Sequence, residues 1–285
     1  MTSSRERNDR KPRPKQGSGH AAGGGFDPRG SKPYRGGGGG QRPRREDQDG
    51  WIWGRHAVEA ALANPDREGP FRVLATPGAS RALMEGVAAG RKDLRIETLE
   101  APEIARVLPA GASHQGMALK APVLEGVAVE DFAEPASGVI VMLDQVTDPQ
   151  NVGAIFRSAR AFGAKGMILQ DRHAPQLSGA LAKAAAGAIE SLPCARVVNL
   201  SRALERLTDL GWRAVGLDGS AEETLETALD GRPTVLVMGS EGEGVRRLVA
   251  EHCDVLAKIP MPGGFESLNV SNAAAVALYA ATRAR

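Results

Sequence analysis

The sequence predicts an α/β protein: a parallel sheet covered by helices in the C-terminal half, a smaller α/β domain before it, and a low-complexity tail at the start. Three observations predict this. From residue 138 onward, apolar runs of strand length alternate with amphipathic helical segments, the pattern of a parallel sheet between helices. Aromatic residues make up only 4% of the 285 residues, so the core must be aliphatic, as in strands buried on both faces. Residues 1–50 lack either pattern: GGG and GGGGG alternate with KPRPK and RPRR.

The tail comes first in the chain. It carries twelve lysines and arginines against six acids, so the rest of the molecule is slightly acidic despite an overall net charge of +2. It buries too little apolar surface to offset the entropy of ordering, and is expected to be disordered. It suits an RNA tether or a solubilising extension equally well. Order begins at WIWGRHAVEAAL (51–62), where Gly54 precedes a helical pattern. FRVLAT (71–76) reads as a strand. SRALMEGVAAG (80–90) reads as a helix capped by Ser80 and stopped by Gly90. LRIETL (94–99) is a strand, APEIARVL (101–108) a helix and QGMALKAP (115–122) a strand. Residues 51–122 thus form a small α/β domain. Residues 123–137, punctuated by Pro135, read as a linker to a domain spanning 138–285.

In that domain GVIVML (138–143) is a continuous apolar run, as a doubly buried strand requires. Helices are expected at 151–163, 176–189, 200–210 and 244–251, and from 268 to about 283. Strands are expected at 166–170, 195–198, 213–218, 234–239 and 255–260. In open sheets of this kind ligands bind beyond the carboxyl ends of the strands, so the chemistry should lie in the loops there.

Several classes are excluded by composition. No run of about 20 apolar residues could span a bilayer, and no apolar segment follows the basic start as a secretory signal would require. Cys194 and Cys253 are far apart and unlike a metal knuckle, which suits a reduced, cytoplasmic protein. The five histidines form no ligand pattern, so no metal is expected.

Three loops carry polar residues. DQVTDPQNVGAIFR (144–157) opens a helix that Asp148 or Asn151 can cap, with Arg157 and Arg160 off its apolar side. GSEGEGV (239–245) is glycine-rich, but it lacks the lysine and hydroxyl of a phosphate loop. Glu241 and Glu243 would repel phosphate, so ATP and NAD are disfavoured. Glycines with inner acids suit a ligand with hydroxyls or a positive centre. MPGGFESLNVSNAAAV (261–276) places flexible backbone and Ser267 or Asn269 at a helix start.

In this order the three loops resemble the motifs of the SpoU/TrmH branch of the SPOUT RNA methyltransferases. The first is Asn151 with Arg157 in NVGAIFR, the second GSEGEG (239–244), and the third Ile259-Pro260-Met261 followed by SLNVS (267–271). KAAAGAIESLP (183–193) and VVNL (197–200) are similar to a bacterial member that acts on 23S rRNA. Residues 51–122, with GRHAVEAAL and HQGMAL, are similar to its L30e-like substrate-binding domain.

The resemblance implies S-adenosylmethionine-dependent methylation of an RNA ribose 2′-hydroxyl, a guanosine of 23S rRNA by the nearer similarity. The alternatives are tRNA or another rRNA nucleoside, or an inactive RNA-binding or assembly factor. It implies a trefoil knot through 239–244 and 259–269. It also implies a homodimer, with the small residues of NAAAVALYAA packed at the interface. Asn151, Arg157, Glu241, Ser267 and Asn269 would form the catalytic set. Met238, Gly239, Ile259, Met261 and Leu268 would hold the cofactor. Arg157 would act on the hydroxyl. A guanidinium ordinarily keeps its proton, so either a local arrangement changes that or Arg157 binds phosphate while another group accepts the proton.

Overall fold

The computed structural model describes residues 50–284, apart from 90, 92, 93 and 264–267. The tail and its expected disorder lie outside the described residues, as do Gly90 and Ser267. Two sheets organise the rest. The first is built from β1 (Trp51–Trp53), β2 (Arg72–Ala75), β3 (Ile96–Thr98) and β4 (Met117–Lys120) in the order β1-β4-β2-β3. β4 is antiparallel to both β1 and β2, and β3 is parallel to β2. Helices α1 (Arg55–Ala63), α2 (Pro77–Glu85) and α3 (Ala101–Val107) connect them. The second helix starts earlier than its sequence pattern suggests. Pro77 takes the first helical position after an extended Thr76, so Ser80 lies inside the helix, donating its N–H to Thr76 O at 2.8 Å.

The second sheet has seven parallel strands: β5 (Val139–Leu143), β6 (Gly166–Gln170), β7 (Cys194–Val197), β8 (Arg213–Leu217), β9 (Glu223–Thr224), β10 (Thr234–Met238) and β11 (Val255–Lys258). Their spatial order is β7-β6-β5-β10-β8-β11-β9. The chain builds outward from β5 to β7, crosses to β8, and then lays β10 between β5 and β8. Side chains alternate across the sheet. Val139, Val141 and Leu143 face one aliphatic layer, while Ile140 and Met142 face the other. The first layer is covered by α5 (Pro149–Ala161), α6 (Gly179–Ala185) and α10 (Val270–Arg283). The second is covered by α4 (Glu130–Ala133), α7 (Leu200–Asp209) and α9 (Arg247–Ala250). β9 and the short α8 (Leu225–Ala228) form an edge that periodicity did not mark, being only two and four residues long.

Two expected boundaries moved for identifiable reasons. The helix read across 176–189 stops at Ala185. Ala186 and Gly187 take positive φ (49° and 91°), and a 3₁₀ turn follows at Ala188–Glu190. A Cβ on Gly187 would lie 2.6 Å from Ala60 Cβ, so α1 sits directly on this turn. The helix read across 244–251 shrinks to Arg247–Ala250, because Gly242 and Gly244 adopt positive φ in the loop before it. The stretch read as a linker packs on the second sheet. Phe132 and Ala133 are buried, Trp212 Nε1 donates to Ala133 O at 2.9 Å, and Phe132 occupies the space a side chain on Gly166 would need. The aliphatic layer holding α5 and α6 continues without a break into Ile52 and Leu119 of the first sheet and Val58 of α1.

Candidate active site

The carboxyl ends of β10, β8 and β11 open onto a cleft of about 690 Å³. This lies beyond the carboxyl ends of the strands, where open parallel sheets bind ligands. Its floor is apolar: Leu217, Met238, Ala257, Ile259, Leu268 and Ala273. Among the described residues, its rim carries three carboxylates, Asp218, Glu241 and Glu243, against one cation, Lys258. One wall is the loop after β10. Ser240 and Gly244 pair as an isolated antiparallel bridge, with Gly244 N donating to Ser240 O at 3.0 Å. The loop folds so tightly that a Cβ on Gly239 would overlap the Gly244 backbone.

The loop is anchored where it leaves. Asp144, fully buried at the end of β5, accepts from Arg246 N at 2.9 Å and from its Nε at 2.7 Å. Arg246 Nη2 also donates to Gln170 Oε1 at 3.2 Å. A buried carboxylate needs such pairing to offset its lost hydration. Asp144, Arg246 and Asp218 were not singled out from the sequence. The available signal was position: Asp144 and Asp218 each directly follow a strand whose carboxyl end faces the crevice.

Three residues from distant loops close into a ring at the mouth. Glu241 Oε1 accepts from Asn269 Nδ2 at 2.6 Å, Asn151 Nδ2 at 3.2 Å and Val270 N at 3.4 Å. Asn269 Nδ2 also donates to Asn151 Oδ1 at 3.1 Å. Asn269 Oδ1 caps α10, accepting from Ser271 N at 3.0 Å and Asn272 N at 3.4 Å. Asn151 does not cap its own helix, since Asp148 does so through Gln150 N at 3.0 Å. Its amide is thereby free for the ring.

The structure thus brings together Asn151, Glu241 and Asn269, and lines the cleft with Met238, Gly239, Ile259, Met261 and Leu268. It does not bring Arg157 there. Six residues along an α-helix turn a side chain about 120° away from Asn151 and about 9 Å further along the axis. Arg157 is exposed, lines a separate groove, and has no hydrogen bond or ion pair among the described residues. Among the described residues no group of three or more His, Cys, Asp or Glu gathers as a metal site would require. Cys194 and Cys253 are far from thiolate character, each pushed up to about 12, chiefly by burial.

Fold and cleft together define an open parallel α/β protein that holds a small ligand with an apolar body and a positive or hydroxylated part. The chain belongs to the SpoU rRNA methylase family, whose model matches residues 138–279. The 23S rRNA (guanosine-2′-O-)-methyltransferase RlmB of Xylella fastidiosa is 40% identical over 243 residues, 82% of this chain and 96% of that protein. An uncharacterized tRNA/rRNA methyltransferase of Mycolicibacterium smegmatis is 35% identical over 248 residues, 85% of this chain and 79% of that protein. Among solved structures, the SpoU methyltransferase AviRb from Streptomyces viridochromogenes in complex with AdoMet aligns with a TM-score of 0.67 at 25% identity. The match covers 82% of this chain and 89% of AviRb.

Proposed function

We propose that this protein transfers the methyl group of S-adenosylmethionine to the ribose 2′-hydroxyl of a guanosine in 23S rRNA, acting in the cytoplasm as a homodimer. The observation that carries the reading is the cleft at the carboxyl ends of β10, β8 and β11, closed by the Asn151–Glu241–Asn269 ring, in a chain of the SpoU rRNA methylase family. The choice of target rests on the likeness to a 23S rRNA (guanosine-2′-O-)-methyltransferase over nearly all of that protein's length.

The residues present fit the cofactor. An apolar floor suits a purine, close glycine backbone suits hydrogen bonds to its edge, and a rim whose described residues are three carboxylates against one lysine suits a cation rather than a phosphate. Bound there, S-adenosylmethionine would supply an electrophilic methyl on a sulfonium. Met238, Ile259 and Leu268 would exclude water from it, and the loop at Gly239 would hold it through backbone. Glu241, fixed by three donors, would keep a negative oxygen at the mouth, where the positive sulfonium approaches the ribose. Held positions of this kind lower barriers by prepaying orientation.

Arg157 lies outside its own chain's cleft, so in this reading it serves the cleft of a second copy as a donor to the RNA phosphate or hydroxyl. The apolar surface for pairing is the outer face of α10, where Val276 is 42% and Tyr279 56% exposed. Tyr279 stands edge-on to Phe162, just beyond α5, with ring centroids 6.1 Å apart. The contact would therefore put α5, which carries Arg157, beside the partner.

The test is direct. Purified protein with radiolabelled S-adenosylmethionine is offered 23S rRNA, 16S rRNA and tRNA from cells lacking it, and the label is mapped. Label on a guanosine ribose of 23S rRNA is expected. Label on tRNA alone would overturn the target, and cofactor bound with no label on any RNA would overturn the activity.

A further inference from the structure

A second concave surface of about 500 Å³ lies between α1, the exposed side of α5 and the turn that follows α6. Its polar groups are His56, Arg157, Arg160 and Ser191, and the rest of its lining is alanine and glycine. Two features define what it could hold. It has two guanidiniums and no carboxylate among the described residues that line it. It also has no Phe, Tyr or Trp among the described residues that line it, the imidazole of His56 being its one ring there. Such a lining offers more to phosphate charge than to bases.

Two acids adjoin lining residues in sequence: Glu59 is paired with Arg55 Nε at 2.9 Å, and Glu190 is turned inward. Glu190, its side chain 4% exposed, accepts from Arg67 Nη2 at 2.8 Å, Arg67 Nε at 3.0 Å and Asn64 Nδ2 at 3.0 Å. Arg67 Nη1 donates in turn to Pro122 O at 2.5 Å. The groove therefore keeps its positive charge, while the two neighbouring carboxylates are paired, Glu59 with Arg55 and Glu190 with the buried Arg67. Arg160 is already oriented, its Nε donating to Ser191 Oγ at 3.0 Å.

The two walls belong to different sheets yet are fixed to each other. The Glu190–Arg67 pair joins them below the groove. Lys183 Nζ donates to Gln115 Oε1 at 2.6 Å, and Gln115 Oε1 also accepts from Arg55 N at 3.2 Å. The Lys183 side chain runs through the space that a Cβ on Gly54 would fill. Gly187 does the same service for α1, whose His56 O would lie 3.2 Å from a Cβ there. The stretches GRHAVEA, HQGMAL and KAAAGAIE, which carry no residue of the cleft, are thus the seam that sets the groove.

We propose that this groove is a track for the sugar–phosphate backbone of single-stranded RNA, in which His56 and Arg160 hold phosphates adjacent to the one at Arg157. The inference rests on the RNA methyltransferase reading above and extends it to a site outside the cofactor cleft. Binding there is independent of base sequence, and the first sheet's domain contributes through His56 to placing the strand as well as choosing it.

The experiment uses the full chain and fluorescein-labelled 12-mers of oligouridylate and oligoadenylate, with anisotropy read across a potassium chloride series. Arg160→Ala is expected to weaken binding of both oligomers about tenfold, as loss of a charged hydrogen bond does. The slope of log K against log salt should fall by about 0.7, one single-strand phosphate contact. His56→Ala should weaken both oligomers alike, Arg160→Lys should retain most affinity, and Ser191→Ala should change it less than twofold. Arg202→Ala, on α7 across the sheet, should change nothing, and S-adenosylmethionine affinity should stay constant throughout. Wild-type affinity and slope in Arg160→Ala, with normal methylation by the wild type, would overturn the groove alone. A change in sedimentation mass tracking the affinity loss would overturn it in favour of an interface between copies. A wild type that binds no RNA would overturn the function reading and the groove with it.

Discussion

Asn269 ties two jobs into one amide. Its oxygen caps α10 and its nitrogen reaches Glu241 and Asn151. Asn269→Ala removes an N-cap, a loss of about 1 kcal/mol, and also opens the ring. Chemical denaturation should report that loss, and calorimetric titration should report weaker S-adenosylmethionine binding. Glu241→Gln keeps an acceptor for the same donors, whereas Glu241→Ala removes it. The Gln variant should therefore stay nearer the wild type in stability than the Ala variant, while both lose methylation. Equal stability of the two would mean that the ring contributes nothing to the fold. The sequence marked Asn151, Glu241 and Asn269 because the three loops that carry them resemble the family's motifs, each loop alone being open to a plain capping or turn role. It could not show that they bond to one another, because they are 90 and 28 residues apart.

At the scale of elements, close helix packing decides more than helix propensity. Gly153 sits in the middle of α5, where alanine would ordinarily gain about 1 kcal/mol. Here a Cβ would lie 2.7 Å from Leu181 O and 2.9 Å from Ala185 N, both backbone atoms of α6. Overpacking of this kind costs about 1–3 kcal/mol, so Gly153→Ala should destabilise the protein in urea titration despite its better propensity. On the other face, α9 is tied to α7 by His252. The ring's Nδ1 lies 2.7 Å from Leu248 O and its Nε2 3.1 Å from Glu205. The Leu248 carbonyl first, and Glu205 after it, raise the His252 pKa above its ordinary 6.5. A raised histidine adds stability that is complete below the unfolded pKa and is lost as pH rises through the folded one. NMR titration should place its midpoint above 6.5, and Glu205→Gln should bring it down. A midpoint at or below 6.5 would rule out the tie. Helix existence was legible from apolar periodicity, but ends were misread at Pro77, Ala186 and Gly244, where a proline or positive-φ residues override the periodic pattern.

At the scale of the molecule, the proposed catalytic set is divided. Asn151, Glu241 and Asn269 gather at one cleft, while Arg157 faces a separate groove. If a second copy completes the site, Arg157→Ala and Glu241→Ala are each inactive alone. Mixed heterodimers, however, keep one cleft with its Glu241 and a partner's Arg157. Refolding the two variants together should restore a measurable fraction of wild-type methylation, with S-adenosylmethionine binding intact in Arg157→Ala throughout. No recovery in verified heterodimers would place Arg157's action within its own chain.

The sequence by itself determined the α/β class, the run of strands and helices, and the loops in which chemistry had to lie. These follow from local periodicity and from glycines and polar side chains at strand ends, which short windows carry. Only the tertiary structure decided that β10 lies between β5 and β8, that Asp144 anchors the glycine loop through Arg246, and that Phe132 and Ala133, within the stretch read as a linker, are buried against the sheet. It also decided that Arg157 parts company with Asn151. Each of these depends on contacts between residues far apart in the chain, set by the packing of whole elements and by close approaches at Gly153, Gly166 and Gly187 that no local pattern encodes.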